Sequence, residues 1–327
     1  MANEAFESIK MDHSQASNTM FVFVPGAWHP TDYLEPMRNY LSERGYNSIA
    51  ISHQTLDPIN PGTSVFDDAA KLEKVVKELL DAGKNIILVM REYNNNDSYG
   101  GSVGSQAIGH LLSKFRSTPS HGEENISKIG KIVRLVYVAA LVPLAGETTA
   151  ALSEVIAADN ANEFSLPLEI VDGRMFCKQE IKELFYGDLP ESERDKYYKL
   201  LQGWPATGRP DIPTHFGWQY VPSTYICATN DRVVSAKAQA RMWSRANATV
   251  SNLEASQSLL KQWTNSRLGE KPCATTGSGD SVVVGKPLSS GPGYMTVKEI
   301  DSDHCSMFIL RKHVEVLGSI LIEMVEP

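Results

Sequence analysis

The feature that most constrains the fold is a repeated alternation. Short, continuously apolar runs recur along the chain, and a segment of helical spacing follows almost every one. "MFVFV" at 20–24 stops at Pro25-Gly26. "NSIAIS" (47–52), "NIILVM" (85–90), "KIVRLVYVAALVP" (131–143), "PSTYICATND" (222–231) and "GYMTVKEIDSDH" (293–304) follow. Between them, Leu34, Met37 and Leu41 share one helical face ahead of Gly45, and Leu72, Val75, Val76, Leu79 and Leu80 share another ahead of Gly83. Further helices are expected at 101–115, 236–246 and 313–325. A strand apolar on every residue must be covered on both faces, so the pattern predicts an α/β fold with a mostly parallel sheet of about six strands and helices on both sides.

Two regions break the rhythm. Residues 144–222 show helical pieces and no convincing strand, with Phe164, Met175, Phe176, Phe185, Tyr186, Trp204, Phe216 and Trp218 among them. They read as a helical cap over a pocket, or as an extra helical layer packed on the sheet. Residues 250–293 are rich in Ser, Gly, Thr and Lys and read as a flexible surface insertion. "GSGDSVVVGK" within it lacks the spacing of a phosphate loop. Residues 1–18 read as a loose tail, which leaves 19–143 and 223–327 as the core.

The net charge of −8 argues against nucleic acid or an anionic membrane as a partner. No signal-peptide core or membrane-length apolar run is visible, and four scattered cysteines lack a CxxC pair. The expectation is a cytoplasmic protein with reduced thiols acting on a small molecule. The histidines outside "DSDHCSMF" show no metal-ligand spacing, and "GGSVG" lacks a dinucleotide fingerprint, so neither metal nor cofactor is expected. The sequence leaves oligomeric state open.

In an open parallel sheet, functional residues gather at the carboxyl ends of strands. Ser98 follows the third run, Asp231 the fifth and His304 the sixth. A serine hydroxyl needs a histidine to take its proton and a carboxylate to hold that histidine in one tautomer. Taken singly, Ser98 is a plausible helix N-cap, Asp231 a turn former and His304 a helix cap; their order at three strand ends favours a triad. Asp301 and Asp303 stand too close in sequence to His304 to orient it naturally. Backbone N–H groups of Ala27 and Tyr99 are the expected oxyanion donors. Trp28, His29, Phe176, Trp204 and Trp218 are the expected substrate contacts, and their apolar character suits a mainly apolar substrate.

One feature opposes this assignment. Seven polar residues, 91–97, fill the gap before Ser98 where a sharp strand-to-helix turn belongs. Asn94, Asn95 and Asn96 tolerate left-handed backbone, so the insert can loop out and return Ser98 to the same place. Alternatively, the strand end slips and Ser98 sits away from His304.

"FVFVPGAWHP", "SYGGSVGSQAI", "YVAALVPLAGET", "FYGDLPESE", "PSTYICATNDRVVSAKAQARM" and "EIDSDHCSMF" resemble a fungal and bacterial group of small α/β-hydrolases related to plant methyl-ester esterases and hydroxynitrile lyases. The likeness covers most of 20–250 and 294–325. It implies an α/β-hydrolase fold with a helical cap, no cofactor, a triad of Ser98, Asp231 and His304, and a place in secondary metabolism. The chain departs from the group in Pro25 (often His), in the seven-residue insert and in the 250–293 insertion. The expected function is a serine hydrolase cleaving a small, largely apolar ester or lactone. The alternatives are a lyase or isomerase using the same residues as a proton relay, and a binding protein impaired by the insert.

Overall fold

The computed structural model describes residues 18–56, 62–91, 99–117, 130–144, 146–147, 166–206, 213–249 and 295–325. The expected tail, except for its last residue Asn18, lies outside them, and so does the whole 250–293 insertion. Ser98 and the six residues before it also lie outside the described residues.

Nine strands are described. Three belong to a small antiparallel sheet: β5 (Leu168–Val171), β6 (Arg174–Cys177) and β7 (Trp204–Pro205). The other six are β1 (Thr19–Val24), β2 (Asn47–Ala50), β3 (Asn85–Arg91), β4 (Ile132–Val138), β8 (Ser223–Ala228) and β9 (Met295–Ile300). They form one sheet in the order β2-β1-β3-β4-β8-β9, with every neighbouring pair parallel. Successive residues of β3 from Ile86 to Arg91 are all buried, so both faces of the sheet are covered, as the unbroken apolar runs require. Burying each large apolar side chain contributes about 1.5–3 kcal/mol, before the entropy of ordering it is subtracted.

Seven helices are described: α1 (Glu35–Ser42), α2 (Val65–Asp81), α3 (Gly100–Ser117), α4 (Ile181–Phe185), α5 (Glu191–Tyr198), α6 (Ala236–Thr249) and α7 (Arg311–Glu323). A capping box of Ser64 and Asp67 starts α2, and Gly83, at φ 76°, follows its end. α1 packs on α7 and α2 on α3. A Cβ on Gly104 of α3 would collide with the Met90 side chain, so this small residue sets how closely α3 lies on β3.

The chain runs from β1 outward to β2, then crosses to β3 on the other side of β1. That reversal falls between β1 and β3, and the carboxyl ends of the strands at such a point are the usual place for a ligand in an open parallel sheet.

Two expectations need correction. The segment 144–222 is not purely helical: it holds β5, β6 and β7 beside α4 and α5. Asp172 (φ 49°) and Gly173 (φ 74°) form the tight turn joining β5 to β6, a backbone that an Asp-Gly pair accepts readily. The fourth strand also ends early. Ala139 adopts φ 46°, which turns the chain out of the sheet after Val138 although 140–142 stay buried.

Candidate active site

The residues after β8 and β9 bring Asp231 and His304 together. His304 Nδ1 donates to Asp231 Oδ2 at 2.5 Å, with both side chains sealed from solvent. A buried carboxylate is costly unless its oxygens are satisfied. Asp231 Oδ1 accepts from the backbone N–H groups of Val233 (2.7 Å) and Val234 (2.9 Å), and Gln239 Nε2 reaches Oδ2 at 3.3 Å. Gln239 is itself fixed to both backbone groups of Ala228, its Oε1 and Nε2 each at 3.0 Å. With the proton held on Nδ1, the imidazole lone pair lies on Nε2.

The loop carrying His304 is tied down from several sides. Asp303 accepts from the N–H of Cys305 (3.0 Å) and of Ser306 (2.7 Å) and from Ser306 Oγ (2.7 Å). Asp303 and Asp188 exchange bonds: Asp188 N–H donates to Asp303 Oδ2 at 2.7 Å, and Asp303 N–H to Asp188 Oδ2 at 2.9 Å. His313 Nε2 adds a third contact to Asp188 at 3.0 Å. Burial pushes the Asp303 carboxyl above the usual range. Burial also acts to raise Asp188, but the bonds from His313 and the Asp303 N–H outweigh it and leave that carboxyl below its ordinary value. Asp301 is engaged elsewhere, accepting from Asn230 Nδ2.

On the other side of the site, β3 keeps its register with β4 through the pair Arg91–Val138. Gly100, nine positions later, opens α3 against that same strand end: a Cβ there would collide with the Arg91 carbonyl and lie 3.0 Å from the Pro25 carbonyl. Strand end and helix start therefore meet, although eight residues, 92–99, separate them in the chain; Arg91, expected to open the insert, is instead the last buried residue of β3. The Arg91 side chain is buried beneath the Tyr33 and Phe308 rings and donates from Nη2 to the His304 carbonyl at 3.1 Å.

The family model described as "Alpha/beta hydrolase family" matches residues 21–260 of the 327. The chain belongs to the alpha/beta hydrolase family. A relative, Alpha/beta hydrolase nvfD of Aspergillus novofumigatus, is 25% identical over 226 residues, which is 69% of this chain and 83% of the relative. Among solved structures, a pyrethroid hydrolase from Sphingobium faniae JZ-2 superposes with a TM-score of 0.57 at 15% identity, covering 94% of this chain and 97% of that one. A mutant of tomato methylketone synthase I gives a TM-score of 0.58 at 15% identity, covering 94% and 99%. At such identities these structures show the fold alone.

The expected substrate contacts of this alpha/beta hydrolase separate into two groups. Trp28 is buried with φ 60°, a strained backbone for a bulky residue. Its indole donates to the Met175 carbonyl at 3.0 Å, and its own carbonyl accepts from Gln202 N–H at 2.9 Å. Trp204 lies 6.3 Å from the Trp28 ring and 4.5 Å from Tyr99. His29 Nδ1 donates to the Ala27 carbonyl at 3.0 Å, and Nε2 accepts from Tyr186 Oη at 2.8 Å. Burial, reinforced by the charge of Arg91, holds His29 well below its ordinary pKa. Its ring reaches Phe185 at 6.2 Å, and Phe185 reaches His304 at 6.2 Å. Phe176 is half-buried against Gly203. Trp218 stands apart: it is fully buried beside α3 and donates to the Pro143 carbonyl at 3.2 Å.

Sequence reasoning did not single out His53, Asp68 or Asp188. For Asp68 a signal was present, because it falls on the apolar face of α2 one turn before Leu72. Among the described residues no group of three or more His, Cys, Asp or Glu is arranged to hold a metal, and no helix is long and apolar enough to cross a membrane.

Proposed function

We propose that this alpha/beta hydrolase is a serine hydrolase that cleaves a small, largely apolar ester or lactone through Ser98, His304 and Asp231. The observation that carries the reading is the sealed 2.5 Å bond between His304 Nδ1 and Asp231 Oδ2 at the carboxyl ends of β8 and β9. A carboxylate in that position fixes the imidazole tautomer and offsets the charge that develops when Nε2 takes a proton.

In the proposed reaction, Ser98 Oγ attacks the carbonyl while His304 Nε2 takes its proton. The N–H groups of Ala27 and Tyr99 hold the oxyanion. Collapse expels the alcohol, which receives the proton from His304, and water then hydrolyses the acyl-enzyme by the same exchange. The aromatic residues packed around the proposed site, Trp28, Tyr99, Phe185 and Trp204, favour an apolar substrate.

The test is turnover of a panel of short aryl esters and lactones by the wild type, Ser98→Ala and His304→Ala. The reading expects each variant to lose at least about 10³-fold in kcat. Wild-type turnover retained in Ser98→Ala would contradict it. Cleavage of a cyanohydrin without ester turnover would assign the residues to a proton relay instead.

A further inference from the structure

We propose that His53 and Asp68 are positioning residues that set the two halves of the oxyanion hole; this rests on the serine-hydrolase reading above. The two proposed donors belong to different elements. Ala27 lies in the loop after β1, and Tyr99 lies at the start of α3. A hole of two donors works only if both keep a fixed separation, and eight residues of chain, 92–99, lie between the end of β3 and the first residue of α3.

The structure holds both parts to a third element. Asp68, buried in the first turn of α2, accepts from the Tyr99 hydroxyl. It also accepts from Thr55 Oγ1 at 2.8 Å, from the Thr55 backbone N–H at 3.4 Å and from the Gln54 backbone N–H. His53, two residues before Thr55, donates from Nε2 to the Pro25 carbonyl at 2.6 Å and so fixes the peptide leading into Gly26-Ala27. Its Nδ1 lies 3.7 Å from Asp68 Oδ2, beyond hydrogen-bond range, so Nε2 is the edge that carries the hydrogen. The His53 and Tyr99 rings meet edge-on at 4.8 Å, and Trp204 closes on Tyr99 from another side at 4.5 Å. The segment 53–55 thus grips the loop after β1 through His53, while Asp68 joins that segment to Tyr99. Burial holds His53 below its ordinary pKa, so it acts as a neutral donor.

The experiment uses the full chain and the most active ester of the panel. Tyr99→Phe removes one hydroxyl and nothing else; Asp68→Asn weakens the acceptor; His53→Leu removes the donor and His53→Gln restores one. Folding is followed by thermal melting. Tyr99→Phe, Asp68→Asn and His53→Leu are expected to lose about 10- to 100-fold in kcat with KM within about twofold, and His53→Gln to regain part of it. Affinity for an aryl boronic acid, which becomes tetrahedral on the serine, should fall in parallel. A merely structural role would leave the kcat of the folded fraction and the boronate affinity unchanged. Ser98-dependent turnover in the wild type, unaltered in folded Tyr99→Phe, would overturn the positioning role and leave the hydrolase reading standing. Wild-type turnover independent of Ser98 would overturn both.

Discussion

The two sides of the candidate site are built by different means. The His304 side combines local and distant bonds: Asp231 accepts from residues two, three and eight positions ahead and Asp303 caps the turn after His304, while Asp188 and Arg91 brace the same loop from far along the chain. The Ser98 side is held from a distance. Gly100 abuts Arg91 and Pro25, and Tyr99 is tied to Asp68 on another helix. A side fixed in part by short-range bonds tolerates insertion elsewhere in the chain. A side fixed by packing accepts an insert only if the flanking residues still meet.

Substitutions on the two sides should separate this difference. The largest effect is expected for Asp231→Asn, which sets an amide opposite His304 Nδ1 and favours the wrong tautomer; kcat should fall roughly 10³- to 10⁴-fold with little change in melting temperature. Gly100→Ala comes next. The added methyl meets two backbone carbonyls that cannot swing aside, so α3 must shift, lowering both melting temperature and kcat, the latter by about 10- to 100-fold. An unchanged rate in Gly100→Ala would show that the helix start need not lie against Arg91.

A smaller, pH-dependent effect belongs to the buried histidines. His29 and His53 are held below their ordinary pKa, chiefly by burial. Below about pH 6.5 the unfolded chain takes up protons at these positions while the folded chain does not. Stability should therefore fall as pH drops below that value, with a slope approaching about 1.4 kcal/mol per pH unit for each proton. Denaturant melts between pH 7.5 and 5 check this, and His29→Gln should flatten the slope. A slope unaltered in that variant would remove His29 from the account.

Much of this architecture was legible in the sequence. The central strands announce themselves because β1, β3, β4 and β8 are largely apolar and mostly buried, the pattern of a sheet covered on both faces, whereas the edge strands β2 (NSIA) and β9 (MTVKEI) are mixed and partly exposed. Strands β5, β6 and β7 are harder to see. β5 is four residues long and leaves Ile170 and Val171 exposed, so no buried face imposes a period. The Asp172-Gly173 pair was the available clue. Asp231 and His304 could be picked out by their places after strands, whereas His53 and Asp188 act through contacts between distant segments that spacing does not encode. Trp218 shows the converse: an aromatic residue inside the segment 144–222, expected to form the cap, serves the core beside α3.

The central claim is that Ser98 is a nucleophile served by His304. The most direct measurement is the mass of the intact protein after treatment with a fluorophosphonate, with the modified peptide sequenced. The account predicts a single adduct on Ser98, abolished in Ser98→Ala and His304→Ala. An adduct on another residue, or a folded wild type that stays unmodified while turning over ester, would contradict it.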